Sequence, residues 1–324
     1  MNAPTATPAS GAAPATRSWL TANPGLRMLQ TLMRREFWEH RALWVAPLAV
    51  SCLLLLSALL THGTFQVDAA DTAEWLEPQN KALLFALAQW GLTIPQYLVM
   101  IVVLSFYLLD CLYAERRDRS ILFWKSLPIA DGAVVTSKLL VGWLVVPLGT
   151  FVLALVTDVL FTVIWDVRAA LGHSSELLVW DTVAFFKTQT LMFLGLIISL
   201  LWYAPFFGCF VLASVLVRRN VWLWVTLAPL LAVIIERIAF GTHHIYSFLA
   251  YRTNGVWFNL PLLEHAFLSS LTNVHGAEIV SIPRVYDQVR AGAAFTNIDL
   301  WLGVLAMIAF VYAAARVRRY RDDT

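Results

Sequence analysis

Five stretches of this chain, residues 43–61, 82–109, 139–157, 188–217 and 300–315, contain no Asp, Glu, Lys or Arg. A helix crosses a bilayer with about 20 mainly apolar residues. One soluble core in a chain of 324 residues cannot bury that many long apolar runs. The expected fold class is therefore all-α, a polytopic membrane protein. Composition agrees: 59% of the residues are hydrophobic and 14% charged, against roughly 45–50% and about 25% in soluble domains. A disulfide scaffold is excluded, because the three cysteines, Cys52, Cys111 and Cys209, lie in or beside apolar runs. A net charge of only +2, from scattered basic residues, argues against a nucleic-acid partner.

Residues 1–16 (MNAPTATPASGAAPAT) have no apolar core of a signal peptide. Residues 1–24 are expected to form a disordered tail. Six spans are predicted, at about 43–61, 82–110, 138–165, 187–217, 221–241 and 298–316. Trp44, Trp165, Trp180, Trp222, Trp224 and Trp301 fall near their ends, where interfacial tryptophan is expected. Pro47, Pro95, Pro147, Pro205 and Pro229 lie inside spans, where neighbouring groups can satisfy the freed backbone. No internal repeat is visible, which weighs against an inverted-repeat carrier. With the N-terminus inside, sixteen of the 23 Lys and Arg fall on the inner side and seven on the outer. The positive-inside rule then places both termini in the cytoplasm.

Three pieces outside the spans acquire a side from this count. Residues 25–42 place Leu26, Leu29, Met33 and Phe37 on one helical face, with Arg27, Arg34, Arg35, Glu36 and Arg41 over much of the rest. This reads as an interfacial amphipathic helix, or as a short soluble leader to the first span. Residues 242–297 are the largest outer segment. Within it, VWFNLPLLEHAFLSSL (256–271) is either a helix dipping into the outer leaflet or a surface loop. Residues 111–137 join the second and third spans in the cytoplasm. There Glu115–Arg119 carry five charges, Ser120 can cap a short helix, and Ile121, Leu122, Phe123 and Trp124 put four large apolar residues outside any span. Pro128 ends the unit, and Asp131 can cap the helix that follows. Such an apolar run needs a burial partner. It either docks in a groove of a soluble protein or lies back on the lipid headgroups.

The order of these parts resembles the permease subunits of ABC-2 type exporters. The segment RREFWEHRALW (34–44) is similar to that family's elbow helix, and LYAERRDRSILFWKSLPI (112–129) to its coupling segment. The resemblance implies a six-helix transmembrane domain over 43–324, in the inner membrane, preceded by an elbow over 25–42. It also implies transport driven by a separate cytosolic ATPase and a pairing with a second permease copy or a related permease. Glu115, Arg116, Arg117, Arg119, Ile121, Phe123 and Trp124 would couple to that ATPase. Arg34, Arg35, Phe37 and Trp38 would set the elbow at the lipid interface. No G-x-x-x-x-G-K-[ST] motif occurs. The chain is thus expected to be no enzyme and to bind no cofactor itself, with ATP and Mg on the partner.

The remaining constellations are weaker. His243, His244, Glu264, His265, His275 and Glu278 share the outer segment without H-E-x-x-H spacing, so no metal site is expected. Glu236 and Arg237, adjacent near the outer end of the fifth span, do not face each other; they either snorkel or pair between helices, or line a candidate substrate path. Asp110, Asp158 and Asp299 are expected at interfaces. Two alternatives to the exporter stay open: a secondary carrier without an ATPase, which needs ionisable groups deep in the bilayer, and a membrane-embedded enzyme or assembly factor.

Overall fold

The computed structural model describes residues 24–60, 78–126, 129–171, 180–258 and 295–320. These are helical almost throughout, with no strand among them. Helix α1 (Pro24–Glu39) precedes α2 (Ala42–Leu60) and α3 (Pro78–Asp110). Two short helices, α4 (Tyr113–Arg117) and α5 (Ile121–Ser126), lead to α6 (Asp131–Leu140). One π turn over Val141–Val145 carries α6 into α7 (Val146–Ala170). Then come α8 (Thr182–Trp202), α9 (Ala204–Leu216), α10 (Val221–Phe240), α11 (His244–Phe258) and α12 (Ile298–Tyr320). Among the described residues six helices are long and apolar enough to cross a membrane, namely Ala42–Leu60, Phe85–Arg117, Asp131–Ala170, Thr182–Trp202, Val221–Phe240 and Ile298–Tyr320. The chain is an all-helical integral membrane protein. The tail over residues 1–23, most of the 256–271 segment, and Glu264, His265, His275 and Glu278 lie outside the described residues.

The helix ends follow local chemistry. The Asp181 carboxylate accepts from the backbone N–H of Val183 at 2.9 Å and of Ala184 at 3.0 Å, capping α8. Gly241, at φ 66°, closes α10 in the left-handed region that glycine enters without cost. The core gathers Leu104 and Leu108 of α3, Val135 and Leu139 of α6, Val211 and Val215 of α9, and Met307 and Ala314 of α12. Hydrophobicity alone does not drive helices together in lipid; close approach at small residues does. Gly208 supplies it, since a Cβ there would lie 2.9 Å from the Met307 Cα. Gly208→Ala is therefore expected to lower stability by about 1–3 kcal/mol. Gly149→Ala, with nothing within 4 Å of its added Cβ, should be neutral or slightly stabilising. Melting temperatures of the two variants check this.

The fourth span departs from expectation. Instead of one helix over 187–217, the chain breaks at Tyr203 between α8 and α9. Pro205 has no N–H and its ring crowds the preceding turn. The Phe206 N–H turns to the Tyr203 carbonyl at 3.0 Å, which frees the carbonyl of Trp202. Arg252 of α11 answers it: Nη1 donates to that carbonyl at 3.4 Å and Nη2 to the Asp299 carbonyl at 2.7 Å. The Trp202 indole returns a hydrogen bond to the Arg252 carbonyl at 2.9 Å. The broken span, α11 and the start of α12 are thus one hydrogen-bonded unit. The third span also differs. It runs from Asp131 to Ala170, so Asp158 is buried in the bundle and not interfacial.

Candidate functional site

Charges from α1, α4, α6 and the end of α12 interlock at one end of the bundle. Lys138 of α6 places Nζ 2.7 Å from Glu36 Oε1 of α1 and 3.1 Å from Glu115 Oε1 of α4. Arg318, near the end of α12, places Nη1 2.5 Å from Glu115 Oε2 and Nε 3.1 Å from Asp131 Oδ1 of α6. The Tyr107 hydroxyl of α3 lies 3.4 Å from Glu36 Oε2 and donates to the Lys138 carbonyl at 3.2 Å. Glu36, Glu115, Lys138 and Arg318 are buried, and each is held by at least one opposite charge. Taking such ions out of water costs several kcal/mol apiece, which only a complete set of partners offsets. Removing one member strands the others.

This cluster joins the loop between the second and third spans to three other elements. Glu115 ties α4 to α6 and α12. Arg116 Nη2 donates to the carbonyls of Ser214 at 2.5 Å and Val217 at 2.8 Å. It thereby satisfies two end carbonyls of α9 and puts a cation at that helix's negative pole. The Ser120 hydroxyl donates to the Glu115 carbonyl at 3.3 Å, bridging α4 to α5. Arg119 makes the corner between them at φ 57°.

Several expectations for this segment need correction. Ser120 and Asp131 do not act as side-chain caps; Asp131 is taken by Arg318, and Ala130 occupies the N-cap of α6. Glu115 is not a rim charge facing outward but the hub of the buried network. Ile121 and Trp124 do not project toward a partner either. Both are buried against this chain, with the Arg35 guanidinium 4.2 Å from the Trp124 ring. The reason is helical phase: Ile121 and Trp124 are three residues apart and share the inward face of α5. The outward face carries Leu122 and Phe123, 66% and 60% exposed. Arg117 is exposed, paired sideways with Asp118 at 3.1 Å and lying 5.8 Å from the Tyr113 ring.

The elbow is likewise rotated from its expected face. Leu32 and Glu36 are buried, with Met33 packed on the core, while Leu26, Arg34, Arg35 and Trp38 are exposed and Phe37 is half-buried. Glu36 looked like part of the polar face, yet it sits one turn after Leu32 and completes the ion cluster. Sequence reasoning missed Glu36, Asp131, Lys138 and Arg318 as a set. The one available signal was Lys138, a lone cation at the mouth of an apolar span.

Near the opposite end Glu236 is held by local hydrogen bonds. Its Oε1 accepts from Thr242 Oγ1 and the His244 N–H, both at 2.7 Å, and its Oε2 from the Ile245 N–H at 2.8 Å. It caps the start of α11, and Arg237 turns to His243. Among the described residues no three of His, Cys, Asp and Glu are grouped to hold a metal ion. Comparison with family models, curated proteins and solved structures finds no match to this chain.

Proposed function

We propose that this chain is the permease subunit of an ABC-2 type exporter, moving a substrate across the inner membrane with ATP hydrolysed by a separate cytosolic ATPase. A second permease copy or a related permease would complete the path, and ATP and Mg would bind the partner. The observation that carries this reading is the buried network through Glu115. It ties α4 and α5 to α1, α6 and the tail of α12, so a push on the exposed Leu122–Phe123 tip would move the elbow and the third and sixth spans together. In a plain connecting loop that lies on headgroups, such a buried tether would have no purpose. The ion-rich end would face the cytoplasm, as the charge count requires.

Two measurements test this. In a background lacking Cys52, Cys111 and Cys209, a cysteine at exposed His243 should react with an impermeant thiol reagent from outside, and one at exposed Ser120 should not. Reversed labelling overturns the sidedness. The tagged protein should also co-purify with a P-loop ATPase; an intact, functional preparation without one removes the exporter. A second reading, a carrier working without an ATPase, is favoured by one observation, the burial of Asp158 inside the bundle.

A further inference from the structure

The outer half of the bundle holds a second polar set, far from the ion cluster and composed differently. Asp158 of α7 is 0% exposed and lies twelve residues inside the end of its helix at Ala170. Its Oδ2 accepts from Gln189 Nε2 of α8 at 2.8 Å and lies 3.4 Å from Thr93 Oγ1 of α3. Its Oδ1 is buried with no hydrogen-bond partner among the described residues. Thr93 stands between Gln89, one turn before it, and Gln96 and Tyr97, one turn after, all toward the same side of α3. Gln89 is 1% and Gln96 0% exposed. Both amide atoms of Gln89, the Gln96 Oε1 and the Tyr97 hydroxyl are buried without a partner.

A buried polar atom without a hydrogen bond is costly, and native structures hold few. Four such atoms along one side of α3, together with the Asp158 Oδ1 beside Thr93, are not explained by packing. Among the described residues no compensating charge reaches it. Helix α2, packed on α7, has no charged residue, and α3 has none from Phe85 to Leu109. Tyr97 is the one titratable side chain that α3 turns toward the carboxyl. Lys187 lies on the exposed face of α8. On α7 itself, Asp166 is two turns farther out, and Arg168 is turned to the carbonyls of Ala58 at 2.8 Å and Leu59 at 3.0 Å. Among the described residues the group therefore consists of one acid with neutral amide and hydroxyl groups, and no basic partner. Carboxylate, amide carbonyl and hydroxyl oxygens are the ligands of hard cations, and one carboxylate balances one positive charge.

We infer that Asp158, with the oxygens of Gln89, Thr93, Gln96 and Tyr97, binds one small monovalent cation, Na+ or H+, between α3, α7 and α8. Gln189 holds the carboxylate in place by donating to Oδ2. The site is independent of which reading of the function holds. In an exporter the ion locks three helices together. In a carrier it is the coupling ion.

The test uses the full chain in lipid nanodiscs, with melting followed by tryptophan fluorescence. NaCl is titrated against choline chloride at equal ionic strength and at several pH values. An ion bound by the folded state alone adds stability in proportion to the logarithm of its concentration once the site fills. If the ion is Na+, the melting temperature rises by a few degrees per tenfold NaCl, choline has no effect, and Asp158→Asn abolishes the rise. If the ion is H+, Na+ matches choline, and the melting temperature falls as pH rises by more in the wild type than in Asp158→Asn. Should Asp158→Asn not fold, Gln89→Leu and Gln96→Leu keep the acid but remove an oxygen ligand. They should shift the Na+ dependence to concentrations at least tenfold higher, or change the pH dependence. The inference is overturned if the wild type responds no more to Na+ than to choline and its pH dependence is the same in all folded variants.

Discussion

Replacing Lys138 by Met should lower stability by about 3–5 kcal/mol, the range seen when one partner of a buried ion pair is removed. The methionine fills the space, so the loss comes from charge and not from a cavity. Glu36 would keep the Tyr107 hydroxyl, at 3.4 Å, and His40, at 3.8 Å, but no buried cation, and Glu115 would keep Arg318. Neutralising the stranded carboxylate as well should restore most of the loss: Glu36→Gln combined with Lys138→Met should be markedly more stable than Lys138→Met alone, because the remaining Glu115–Arg318–Asp131 chain is still paired. A double-mutant cycle on the melting temperature measures the coupling, and an interaction energy near zero would mean that the two groups do not pair. Arg117→Ala, which removes an exposed pair with Asp118 and an exposed contact with the Tyr113 ring, should change stability by no more than about 1 kcal/mol. The contrast separates the buried network from the basic surface around it.

The double change Leu122→Ser with Phe123→Ser is expected to abolish association with the partner ATPase while leaving the membrane protein folded. Both side chains are more than half exposed, so their loss removes little internal packing beyond the edge contact of Phe123 with the Trp124 ring. Truncating a buried aromatic anchor at an interface costs about 2 kcal/mol or more, roughly thirtyfold in affinity. Trp124→Ala should behave differently. Its ring is 8% exposed and lies under the Arg35 guanidinium, so the change loosens α5 from α1 and lowers stability as well as association. ATPase co-purification and melting temperature, read together for the two variants, distinguish an outward docking face from an inward packing face. Full ATPase binding by the Leu122, Phe123 double variant would show that the tip does not dock.

The two predictions concern residues that were visible in the sequence to different degrees. The apolar run Ile121–Trp124 stands out between charges, but the run does not say which two side chains face inward. That was decided by the phase of a six-residue helix and by Arg35, 89 positions away from Trp124 in the chain. Glu36 was legible as a charge on an amphipathic helix, yet its partner Lys138 is 102 positions distant. Arg318 and Glu115 are 203 positions apart. No local pattern pairs such residues. Asp158 was misplaced for a related reason. Its depth depends on how far α7 continues, and its neighbours come from α3 and α8.

What the sequence determined by itself is the number of spans, their order, and which connecting segments gather at a common end. Apolar length and loop charge are properties of a continuous stretch, and the bilayer acts on each stretch separately. What the tertiary structure decided is the facing of each helix: Glu36 inward, Trp124 inward, Phe123 outward, Asp158 enclosed, and the fourth span broken over Arg252. Inside a membrane the lipid tails are as apolar as leucine, so hydrophobic pattern does not tell a helix which side to turn to its neighbours. That choice is made by small residues such as Gly208, which let backbones meet, and by charged and polar groups that must find partners away from water.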